Sequence, residues 1–140
     1  MKRLIRIVFC LMVILGSAVN VSAYVVPDNL WKGLLAEASG EGREAMYRVA
    51  CVVRNRLVLG MNTGLCGLKR KDLDGFVMQE GRSKEKEARE IVRKVFQERG
   101  EDVTNGATHF ESIDFREPRW AKKMVYLGQY KKHKFYKERR

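Results

Sequence analysis

The chain has 140 residues, 45% of them hydrophobic and 32% charged, with 28 Lys plus Arg against 17 Asp plus Glu and a formal net charge of +11. The length allows one domain with one modest core. Cys51, Cys66 and the distant His109 and His133 match no compact ligand spacing, so neither a metal nor another cofactor is expected.

The chain opens with Lys2, Arg3 and Arg6, an apolar run over residues 7–15, and the small-x-small sequence Val21-Ser22-Ala23. These three parts predict a secretory signal peptide over residues 1–23 and a single exported domain over 24–140, placed in the periplasm, the cell wall or outside the cell. The apolar run is short for a membrane span, although residues 16–23 could extend it into an uncleaved N-terminal anchor. Cys10 lies within the run. Cys51 and Cys66 then form a candidate disulfide for an exported protein, worth about 3 kcal/mol for a loop of this length in the chain-entropy model. The other reading makes Cys51 a small buried residue of its helix that never meets Cys66.

Pro27-Asp28-Asn29 is a good helix start, followed by Leu30, Leu34, Leu35 and Ala38 on one face. Gly40 and Gly42 break that helix. Residues 43–59 form the clearest helix, with Met46, Val49, Ala50, Val53 and Leu57 in a core-facing stripe. Residues 60–81 read as an irregular excursion with room for a short helix. Ser83 is placed to cap a third long helix reaching Arg99, with Ala88, Ile91, Val92, Val95 and Phe96 on its buried face. Thr104-Asn105-Gly106 then reads as a turn, residues 107–112 as a short strand, and residues 124–127 and 134–137 as two further strands joined through Gly128. Helices first and antiparallel strands afterwards define an α+β fold.

Charge is unevenly placed. Residues 24–118 are neutral, whereas residues 119–140 hold nine basic residues and the single acid Glu138. Such a strip implies an anionic partner, or a merely solubilising tail. A nucleic-acid partner would need basic and aromatic residues interleaved on a recognisable platform, which is absent, so no specific nucleic acid is expected.

The chemistry concentrates in Leu35-Ala36-Glu37-Ala38-Ser39-Gly40-Glu41-Gly42, where Glu37 ends an apolar helix and Glu41 follows in a glycine-flanked turn. Nearby apolar surface favours the protonated carboxyl, as a general acid requires. By residue type alone, the stronger reading makes both ordinary helix-terminus acids.

That segment, together with Val53-Arg54-Asn55-Arg56, Asp102-Val103-Thr104-Asn105-Gly106-Ala107-Thr108-His109-Phe110, Trp120, Leu127-Gly128 and His133-Lys134-Phe135-Tyr136, resembles the SleB-like cell-wall hydrolases. The resemblance covers about residues 30–137. It implies a lysozyme-like cleft formed by the helical part and a small antiparallel sheet. It further implies cleavage of peptidoglycan glycan strands between N-acetylmuramic acid and N-acetylglucosamine by a monomer, with Glu37 as general acid. The same carboxylate would act as base while the muramoyl C6 hydroxyl closes an anhydro ring. Hydrolysis by water, as in a muramidase, and a wall-binding module without activity are the alternatives.

Other positions carry over with lesser roles. Glu41 would hold the turn between the first two helices, and Asn55 and Arg56 would tie the second helix to its following loop. Asn105 and Gly106 would shape the chain before the first strand. Thr108, His109, Phe110, Trp120 and Tyr136 are the expected substrate-binding residues. His109 is read either as a cleft residue or as a structural one, and Tyr136 is an equally good core residue. His133 matches the family's C-terminal histidine. The sequence departs from the pattern at Val103, in the extra residues 129–131, in the weak echo around Gly75-Phe76-Val77, and at Glu111, which is either a second acid or a rim charge. The basic C-terminal segment would hold anionic wall polymer.

Overall fold

The computed structural model describes residues 23–140. The expected leader therefore lies outside the described residues, apart from Ala23. Four helices precede a three-stranded antiparallel sheet, which is the expected α+β order.

Helix α1, Leu30–Ala38, carries Leu30, Leu34, Leu35 and Ala38 on its buried face. The Leu30 and Lys32 amides donate to Pro27 O and Asn29 O, so the backbone of the Pro27 turn starts the helix without a side-chain cap. A 3-10 turn, Ser39–Glu41, follows, and Gly42 at φ +92° turns the chain into α2, Arg43–Val58. Few residues other than glycine adopt that φ without strain.

Helix α2 is buried on two sides. Met46, Val49, Ala50 and Val53 face α1 and α4, while Val52 packs on Ala107 and Phe135 beneath the sheet. Each buried valine or methionine contributes about 1.5–3 kcal/mol, which makes α2 the element joining the two parts of the fold.

The 60–81 region is more regular than its sequence suggests. It contains a 3-10 turn, Cys66–Lys69, and helix α3, Leu73–Glu80. Only Val77 of α3 is buried and Met78 is 81% exposed, so the helix has little periodic signal. Helix α4, Arg82–Val92, begins after Gly81 at φ +86° with no side-chain cap, so Ser83 does not play the capping role expected of it. A wider turn, Arg93–Gln97, prolongs it. Arg54 fixes that end by donating to Val95 O and Gly100 O.

Strand β1, His109–Ser112, and β2, Val125–Tyr130, flank the central β3, His133–Lys137. The β2–β3 hairpin turns at Lys131 and Lys132, with Lys131 at φ +47°. Gly128 instead sits at the register shift between Tyr126 and Gly128, where φ +139° allows a bulge, and it does not join the strands as expected. Phe110, Leu127, Tyr130 and Phe135 close the sheet onto Val52 and Ala107.

Asp102 organises the turn before β1. Its carboxylate accepts from Thr104 N and Oγ1, Gly106 N and Asn55 Nδ2. Burial opposes its ionisation, and those donors outweigh burial to hold its pKa below the usual carboxylate value. Asn105 and Gly106 take positive φ here, 56° and 79°, as a turn at that position requires. Asn55 also donates to Ala107 O, and Arg56 donates to Asn62 O, Asn62 Oδ1 and Thr108 O. The end of α2 is thereby bonded to both the following loop and the sheet.

Candidate active site

A cleft of about 630 Å³ lies between the end of α1 and the edge strand β1. Its helical wall includes Ala36, Glu37, Gly40 and Glu41, with Gly64 and Cys66 beside them. The sheet wall supplies Phe110, Glu111 and Ser112, the following loop supplies Asp114, Phe115, Arg116 and Pro118, and the hairpin supplies Lys132 and His133.

Glu37 stands in the last turn of α1, next to the fully buried Leu34 and Leu35. Gly67 N–H donates to its Oε1 at 2.7 Å. A Cβ on Gly67 would lie 2.5 Å from Ala36 Cβ, so the backbone approaches this carboxylate so closely only because the residue is glycine. Glu41 is held from the opposite side. Its Oε2 accepts from Lys132 N at 3.1 Å and its carbonyl oxygen accepts from Lys131 Nζ. It thus links the α1–α2 turn to the hairpin. His133 Nδ1 lies 3.2 Å from Glu41 Oε2, close enough for an ion pair but at a poor angle for a hydrogen bond, and this buried nitrogen has no other partner.

Glu111 Oε1 accepts from Tyr136 Oη at 2.6 Å, while its Oε2 is buried without a partner. Burial first, and then the adjoining carboxylate, push the Tyr136 hydroxyl well above the usual tyrosine pKa, so it remains a donor at neutral pH.

Of the five expected substrate-binding residues, Phe110 lines the cleft, and Thr108, His109, Trp120 and Tyr136 do not. Cross-strand pairing places His109 opposite Tyr136 on the other face of the sheet. There Trp120 packs 5.2 Å from His109 and 5.4 Å from Tyr136, measured between ring centroids. Thr108 Oγ1 lies 2.9 Å from His109 Nδ1. Burial, and then the nearby Arg56, hold the His109 pKa below the ordinary histidine value. His109 thus packs against Trp120 and Thr108 and does not line this cleft. Asn105 and Gly106 stay in the exposed turn, away from the cleft.

The candidate disulfide is not formed. Cys51 and Cys66 are both free, because Cys51 is buried on α2 with Sγ 3.7 Å from Glu101 O, whereas Cys66 is exposed beside the cleft. Burial raises the Cys51 thiol pKa to about 11, so it stays protonated and unreactive.

Sequence reasoning missed Cys66, Gly67, Phe115, Arg116 and Lys132. The glycines at 64 and 67 were the readable sign of a close backbone approach. Phe115, 78% exposed on the rim, follows no period.

Carboxylates on both walls and an exposed aromatic at the rim form the kind of cleft in which glycosidic bonds are cleaved. The chain belongs to the Cell Wall Hydrolase family, whose model matches residues 40–136. Membership supports peptidoglycan as the substrate and its cleavage as the general activity. The matched span takes in Glu41, Phe110, Glu111 and His133, and Glu37 lies three residues before its start. No curated protein and no solved structure matches the chain.

Proposed function

We propose that the chain is an exported, monomeric, SleB-like enzyme with a lysozyme-like cleft. It cleaves peptidoglycan between N-acetylmuramic acid and N-acetylglucosamine as a lytic transglycosylase. Glu37 gives its proton to the glycosidic oxygen as the bond from C1 breaks. The resulting carboxylate then takes the proton of the muramoyl C6 hydroxyl as that oxygen bonds to C1. One residue thus serves as acid and base, and no water is consumed. The observation carrying this reading is the Glu37 carboxylate, fixed by Gly67 N–H on the wall of a cleft large enough for sugar rings. Phe110 and Phe115 offer apolar surface to pyranose faces.

The basic residues 119–140 serve to keep the enzyme on anionic wall polymer. Lys122, Lys123, Lys137, Arg139 and Arg140 are exposed there. Muramidase-type hydrolysis is the second reading, and it is favoured by the further carboxylates Glu41 and Glu111 along the same cleft, since most glycosidases use a pair.

Mass analysis of the fragments released from purified peptidoglycan separates the two. Ends lighter by one water, as anhydromuramic acid, are expected. Reducing ends would replace transglycosylation by hydrolysis, and protein that sediments with the wall without releasing fragments would leave a binding module.

A further inference from the structure

The charged side chains of the cleft are matched to protein partners, with one exception. Its walls carry Glu37, Glu41, Glu111 and Asp114 against Lys132 and Arg116, so the cleft as a whole is acidic. Glu37 accepts from Gly67 N–H, Glu41 from Lys132 N–H, and Glu111 from Tyr136 Oη. Lys132 Nζ lies 2.9 Å from Asp114 Oδ2, which occupies that cation. Arg116 is exposed and, among the described residues, makes no hydrogen bond or ion pair.

The loop that presents Arg116 is anchored. Ile113 N–H donates to Lys132 O, Asp114 N–H to Ser112 Oγ, and Phe115 N–H to Ser112 O, so the chain is tied to β1 and the hairpin up to the residue before Arg116. Phe115, 78% exposed, stands beside it on the same rim. An apolar ring next to an unmatched guanidinium, at the edge of an acidic cleft, suits a sugar that carries a carboxylate on one arm. A guanidinium grips a carboxylate through paired N–H donors in a fixed fork, which a lysine lacks.

We propose that Arg116 binds a carboxylate carried on the C3 arm of muramic acid: the lactyl group itself where the stem peptide is missing, or a carboxylate of that peptide where it is present. The inference rests on the peptidoglycan-cleaving reading and names the part of the substrate that the sheet-side rim recognises. N-acetylglucosamine has only a hydroxyl at C3, so the contact tells the two alternating sugars apart and helps set which bond lies against Glu37. Carboxylates along the rest of the walls disfavour an anionic strand, and Arg116 is where its charge is met. No bond is made or broken in this contact, so it serves transglycosylation and hydrolysis alike.

The experiment measures cleavage of soluble glycan strands by the wild type, Arg116→Gln, Arg116→Lys and Lys86→Gln, the last removing an exposed charge on α4 outside the cleft. The strands are prepared with their stem peptides, stripped of them by an amidase so that the lactyl carboxylates are free, or with the stem-peptide carboxylates capped as methylamides. On at least one kind of uncapped strand, Arg116→Gln should need about fivefold more substrate for half-maximal rate, and the kind affected identifies the carboxylate. Arg116→Lys should fall between, since it keeps the charge and loses the fork. On capped strands Arg116→Gln and the wild type should need equal concentrations.

An equal rise on capped and uncapped strands, a rise matched by Lys86→Gln, or no rise on either uncapped strand would overturn the proposal and leave Arg116 as a solvated charge. Wild-type protein that cleaves none of the strands would count against the enzyme reading instead. Dissociation constants of the same strands for the same proteins then decide the Arg116 contact by the same comparison.

Discussion

The helical wall of the cleft, which carries Glu37 and Glu41, is backed by a core that includes Leu34, Leu35, Met46 and Val49, each at most 1% exposed. On the sheet wall, Phe110, Glu111 and Ser112 belong to a four-residue edge strand held by polar ties instead: Tyr136 to Glu111, Arg56 to the Thr108 carbonyl, and Asn55 and the turn amides to Asp102. The two walls should therefore fail differently. The helical wall depends on packing volume and should be insensitive to pH, whereas the sheet wall depends on directed hydrogen bonds to an ionised carboxylate and should loosen in acid.

Leu34→Ala tests the first wall with the largest stability loss expected. It should cost about 2–5 kcal/mol, read by denaturant unfolding, because a fully buried leucine leaves a cavity. A loss under 1 kcal/mol would mean that α1 is not the packing base of the site.

Asp102→Asn tests the second wall and should cost about 1–3 kcal/mol at neutral pH, since an amide cannot accept from all the donors that surround the carboxylate. The folded-state pKa of Asp102 is depressed, so its stabilisation is present above the unfolded-state pKa and disappears as pH falls through the folded value. The wild type should lose stability in acid more steeply than Asp102→Asn. Parallel curves would contradict the polar account of the sheet wall.

Gly67→Ala probes the contact that sets Glu37. Moving the turn away from Ala36 should lower turnover about tenfold with little change in unfolding midpoint, because geometry near the reacting atoms matters more than burial there. Arg89→Ala, which removes a guanidinium 4.0 Å from the Trp31 ring far from the cleft, should cost only about 0.5–1 kcal/mol and leave activity unchanged.

The same contrast explains what was readable in the sequence. Leu30, Leu34, Leu35 and Ala38 in α1, and Met46, Val49, Ala50 and Val53 in α2, follow the helical period because each helix buries one continuous face. The α+β order and the presence of three strands were legible for similar reasons. Helix α3 was not, since Val77 alone is buried and no period can form around one residue. The bulge at Gly128 and the hairpin turn at Lys131 were exchanged because a glycine in a strand and a glycine in a turn look alike in sequence.

The candidate site divides along the same line. Glu37 and Glu41 were visible beside broken helices. Alternation along β1 separated His109 from Phe110 but could not say which face meets the cleft, so His109, Trp120 and Tyr136 were placed with the substrate although they pack together on the other face of the sheet. Lys132 N–H on Glu41 and Gly67 N–H on Glu37 join residues far apart in the chain through backbone groups, which carry no sequence signature.

The central claim is that Glu37, seated on the helical wall, cleaves the glycan. Its most direct test is the rate at which purified peptidoglycan suspensions clear with wild-type protein and with Glu37→Gln at matched unfolding midpoints. The account predicts that the variant still binds the wall but clears it at least about 10³-fold more slowly, within the range of general acid–base catalysis. Clearance by Glu37→Gln within tenfold of the wild type would contradict it and move the acid elsewhere in the cleft.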